Sequence, residues 1–71
     1  MENELKKGKY RHFKGNEYEV LGIGYDSEDG SQMVVYKALY GEGKIWIRRK
    51  AEFCGMLERD GKTFKRFEFI G

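Results

Sequence analysis

The sequence contains no proline, one cysteine, one histidine and one tryptophan in 71 residues. With Cys54 alone, no disulfide closes within the chain and no thiolate metal cluster assembles from it, which predicts a reducing compartment. Without proline no strand edge is blocked by a missing N–H, so edge protection falls to charges, for which Lys37, Lys65 and Glu68 are the candidates. No apolar run approaches the ~20 residues of a membrane span, and Met1-Glu2-Asn3-Glu4 opens acidic, unlike a signal peptide. A soluble, cytoplasmic protein with no membrane partner is expected. One charge sign is not in excess either: a net +2 gives no general drive towards nucleic acid. The length excludes a second domain, and a chain this short buries only about 60% of its unfolded surface, leaving little room for a deep substrate cavity.

What is present points to strands. Five Phe, five Tyr and Trp46 make 15% of the chain, enough ring area to offset the ordering of the backbone. Ten glycines are about twice the usual share of roughly 7%, a sign of turns and bends. The charge is unevenly spread: residues 1–16 carry +3, residues 17–43 carry −5 and residues 44–71 carry +4. A fold that joins the two basic ends would create a local positive patch.

Residues 1–7 read as a polar, disordered tail and residues 8–71 as a single β-barrel domain. Ring and charge alternate over 9–13, Lys14-Gly15-Asn16 is a turn signal, and 17–25 alternates with period two. The first two strands are expected to be neighbours. The alternation slips by one at Val20-Leu21, with Gly22 and Gly24 following, which predicts a bulge. The polar loop Asp26 to Ser31 leads into a strand over 33–40 with Val34, Tyr36 and Ala38 on one face. Gly41-Glu42-Gly43 turns the chain into a strand over 45–48. Residues 49–53 are read as one helical turn, 56–59 and 62–65 as a hairpin about Asp60-Gly61, and Phe67, Phe69 and Ile70 as the closing strand. The fold class expected is mainly β, a small partly open barrel of six to seven short strands resembling the Src-homology-3 or Tudor class.

The string Gly8-Lys9-Tyr10-Arg11-His12-Phe13-Lys14-Gly15-Asn16-Glu17-Tyr18-Glu19-Val20-Leu21 resembles the bacterial domain-of-unknown-function 1653 family (DUF1653). The likeness resumes at Val34-Val35-Tyr36-Lys37-Ala38-Leu39-Tyr40-Gly41, at the Trp46 segment, at Asp60-Gly61-Lys62 and at Arg66-Phe67-Glu68-Phe69-Ile70. It implies a stand-alone, β-rich bacterial protein of unassigned activity. Where the family shows a His-Ser-Glu-Thr-like loop and a Trp-x-Arg-Pro segment, this chain has Asp26-Ser27-Glu28-Asp29 and Trp46-Ile47-Arg48-Arg49. Any ligand role of the family's loop histidine or proline is therefore absent here.

Tyr10 to Gly15 interleaves cations and rings, a pattern suited to phosphate pairing and base stacking. Its plainer reading packs Tyr10 or His12 under the next strand and leaves Arg11 and Lys14 solvated. Catalysis would need His12 oriented by Asp26 or Glu28, or Cys54 activated by His12; we expect Cys54 to be a buried, inert thiol. One His, one Cys and scattered carboxylates show no metal-ligand spacing, and the acidic loop lacks the later glutamate of a calcium loop. Trp46 with Arg48, Arg49 and Lys50 forms the second constellation. We expect Trp46 in the core; the alternative is an aromatic shelf with Tyr36 or Tyr40. The function expected is a non-catalytic binding module whose rim of Arg11, His12, Lys14, Tyr36, Tyr40, Trp46, Arg48 and Arg49 takes a peptide or nucleic acid. No cofactor and no metal are expected. The other readings are a dimerising accessory subunit and, last, an enzyme built on His12.

Overall fold

The computed structural model describes residues 5–71. Seven strands and one helical turn follow in order: β1 (Gly8–His12), β2 (Glu17–Tyr25), β3 (Gln32–Ala38), β4 (Ile45–Arg49), α1 (Lys50–Phe53), β5 (Met56–Arg59), β6 (Lys62–Lys65) and β7 (Phe67–Phe69). Five of them form an antiparallel sheet in the order β4-β3-β2-β1-β7, and β5 and β6 form a separate hairpin. The mainly-β architecture holds, with sheets that do not close into a full barrel. β4 and β7 therefore remain as edges, while Lys37, expected to guard one, sits on β3 between two neighbours.

Period-two alternation sets the faces. Tyr10 on β1, Val20 on β2 and Val34, Tyr36 and Ala38 on β3 are buried, with charged or half-exposed residues between them. The pairing of β2 with β3 shifts between Val20 and Gly22, leaving Leu21 as the extra residue. Val20 and Ile23 are an odd number of residues apart and would point to opposite faces in a regular strand; the bulge lets both pack on the core.

That core is mostly aromatic. Phe53 from α1 lies parallel to Phe67 of β7, centroids 4.0 Å apart at 8°, and meets Tyr10 and Tyr36 edge-on at 5.4 and 5.2 Å. The buried tyrosines carry their hydroxyls to the margin: Tyr10 donates to the Lys6 carbonyl at 2.7 Å, and Tyr36 accepts from Arg48 Nε at 3.3 Å. Leu5 packs on the same cluster and Lys6 lies over the Phe69 ring, so this part of the expected tail is tied to the domain. Residues 1–4 lie outside the described residues.

The helical turn directs Phe53 inward and leaves Cys54 at its end exposed, which corrects the expected buried thiol. No helix is long and apolar enough to cross a membrane among the described residues.

Candidate binding face

The register between β3 and β4 defines the site. Tyr36 lies directly opposite Trp46 and Val34 opposite Arg48, so Trp46 and Arg48 share the inner face with the buried residues of β3, and Ile45, Ile47 and Arg49 share the outer face. Trp46 is nonetheless 46% exposed. It is not a core residue: Phe53 of α1 packs against its cross-strand partner Tyr36, ring centroids 5.2 Å apart, and the indole itself stays half-exposed. Tyr36, expected on the binding rim and offered as a shelf partner only in the alternative reading, is the residue that is buried there.

Beyond Phe53 the inner face continues as an open shelf. Trp46 and Tyr40 line a hollow of about 280 Å³ with Ala38, Gly41, Glu42 and Lys44. Tyr40 shares a 2.8 Å hydrogen bond with the Tyr18 hydroxyl, and the Tyr18 ring meets Tyr36, Tyr40 and Phe67 edge-on at 5.3 to 5.7 Å. Burial, then the bond to Tyr40, push the Tyr18 hydroxyl up to about 12. Tyr18 thus stays a neutral hub under the shelf. Arg48 is held between the Tyr36 hydroxyl and Glu52, 3.9 Å away on α1.

His12 borders this region from β1. Its ring packs against Phe13 and Phe67 at 4.5 and 4.8 Å, and its Nδ1 accepts the Lys14 N–H at 3.1 Å. Burial first, then Arg48, Arg66 and Lys14, lower its pKa below 6.5. Asp26 and Glu28 do not orient it. They sit past the far end of β2, and the end of β2 near His12 pairs Glu17 with Arg11. Nine residues of strand separate the two places by about 25 Å. Asp26 and Asp29 spend carboxylate oxygens on the loop's own N–H groups at Glu28 and Ser31.

Of the other expected residues, Arg11 turns away from the inner face and pairs with Glu17 at 3.3 Å, both side chains about half-exposed. Lys14 stands exposed on the turn after β1. Arg49 reaches the Ser31 hydroxyl at 3.1 Å from the outer side of β4. The fold therefore gathers Tyr40, Trp46 and Arg48 on one rim, with Tyr36 beneath and His12 beyond, and disperses Arg11, Lys14 and Arg49.

Two participants escaped the sequence reading. Tyr18 was signalled by the alternation through Glu17-Tyr18-Glu19-Val20, which puts it on the inner face. Arg66 had no signal; its Nε is buried with no hydrogen-bond partner among the described residues. Among those residues no three His, Cys, Asp or Glu side chains converge as a metal-ligand set.

The same fold is seen in the crystal structure of a DUF1653 protein from Bordetella bronchiseptica. The similarity has a TM-score of 0.86 at 27% identity and covers 96% of this chain and 90% of that one. No curated protein matches the sequence. The family model for the protein of unknown function DUF1653 matches residues 8–69, and with nearly the whole length accounted for, this chain belongs to that family.

Proposed function

We propose that this chain is a non-catalytic binding module that takes an extended, acidic peptide along the β4 rim. The observation that carries the reading is the alternation of Trp46 and Arg48 on an uncovered part of the inner face, beside a hollow whose other ring is Tyr40. A half-exposed indole against a shallow apolar hollow is the kind of anchor that dominates peptide interfaces. Lys44 and Arg48 flank it and supply charge for carboxylates, Arg48 exchanging its 3.9 Å contact with the exposed Glu52. Nucleic acid is the less favoured ligand because a phosphate backbone needs a track of cations. Arg11 and Arg49 lie off the inner face, and Arg11 is paired with Glu17. Against catalysis, His12 has Arg48, Arg66 and Lys14 as its charged neighbours and no orienting carboxylate among the described residues. An exposed Cys54 suits a reducing, cytoplasmic setting.

Trp46 fluorescence reports the test directly. Titration with a capped peptide of sequence Glu-Val-Leu-Val-Glu should shift the emission, and Trp46→Ala, followed by calorimetry, should lose about thirtyfold in affinity, a typical anchor loss. Tighter binding of an oligothymidylate than of the peptide, or no binding of either, would overturn the reading.

A further inference from the structure

β4 is more than a carrier of side chains, because it is an edge. The Ala38 N–H donates to the Lys44 carbonyl at 2.9 Å, and the β3–β4 register pairs Tyr36 with Trp46 and Val34 with Arg48 in the same phase. In an antiparallel ladder the hydrogen-bonded positions alternate, so Lys44, Trp46 and Arg48 turn their backbone groups towards β3. Ile45 and Ile47 then turn their N–H and C=O groups away from the sheet. No strand pairs there among the described residues. The strand has no proline and no bulge, its charges are confined to Arg48 and Arg49 at one end, and Ile45 and Ile47 are 53% and 63% exposed.

We propose that the peptide binds by strand addition, pairing antiparallel with β4 as a sixth strand of the sheet. This rests on the reading that the β4 rim is a peptide site and specifies how the peptide is held. Antiparallel pairing continues the pattern of every other pair in the sheet. Its chemistry follows from what each position of β4 presents. Apolar residues face Ile45, Trp46 and Ile47, and acids face Lys44 and Arg48 at either end. In the register centred on Trp46, charge favours a foreign acidic strand over a second copy of this chain. Two β4 strands paired about Trp46 would set Lys44 of each opposite Arg48 of the other, like charges in direct cross-strand positions.

The Glu-Val-Leu-Val-Glu peptide separates strand addition from docking by side chains alone. In the pairing described, the N–H groups of its two valines donate to β4 and that of its leucine points to solvent. N-methylation of both valines should weaken binding at least tenfold, N-methylation of the leucine should leave it unchanged, and the Ile45 and Ile47 amides should slow in hydrogen exchange on binding. Equal affinity of all three peptides, with Trp46→Ala still weakening each, would sink strand addition and leave the rim reading standing. If the unmodified peptide does not bind at all, the rim reading fails first. A free protein that sediments as a dimer with Ile45 and Ile47 amides already protected would overturn the proposal in favour of self-pairing.

Discussion

At the scale of single residues, His12 is where the environment alters chemistry most usefully. Its folded pKa lies below 6.5 because burial and three nearby cations oppose a positive ring. The unfolded chain then takes up a proton at higher pH than the folded one. Stability is therefore complete above the unfolded value and declines as pH falls through about 6.5 towards the lowered folded pKa. Urea midpoints at about pH 7.5 and pH 5.5 should differ less in His12→Gln than in the parent. Equal pH sensitivity in the two proteins would show that His12 carries no such linkage. The ring's residue type was readable in the sequence, but its neighbours were not. Arg48 and Arg66 are 36 and 54 positions away in the chain and reach His12 only because β1 and β7 are neighbours and β4 ends on the same face.

At the scale of elements, local chemistry was the better guide. The Asp60-Gly61 pair turns β5 into β6 with φ of +53° and +78°, the double left-handed conformation of a two-residue hairpin. Asp tolerates that region and Ala does not, so Asp60→Ala should cost about 1 kcal/mol and lower the melting temperature by roughly 4–8 °C. Asp60→Asn should be near neutral; an equal loss in both would point to the carboxylate and away from the backbone. The bulge after Val20 and the helical turn before Cys54 were legible for similar reasons. A slip in alternation and a break in β-prone residues are properties of a few neighbours. The end of β3 was less so: alternation suggested a strand to Tyr40, whereas pairing stops at Ala38 and the Leu39 N–H goes to the Glu17 carbonyl instead.

At the scale of the whole molecule, one residue joins the parts. Phe53 is 1% exposed and touches Tyr10, Tyr36 and Phe67, side chains of three strands. Truncating such a ring costs about 3–5 kcal/mol. A 71-residue domain has only roughly 4–10 kcal/mol in all. Phe53→Ala should therefore lose most of its near-ultraviolet dichroism at room temperature, whereas Phe53→Leu should keep it with a lower urea midpoint. A Phe53→Ala variant with unchanged signal would mean that the inner face holds together without α1. The sequence by itself determined the β class, the turns, the bulge and which residues of β3 share a face, because each follows from alternation and backbone preference within a few positions. Only the tertiary structure decided that Trp46 lies outside the core, that Tyr36 lies within it, and that Arg48 approaches His12. The first two depend on which inner-face side chains Phe53 packs against and the third on the order of the strands, neither of which a local pattern encodes.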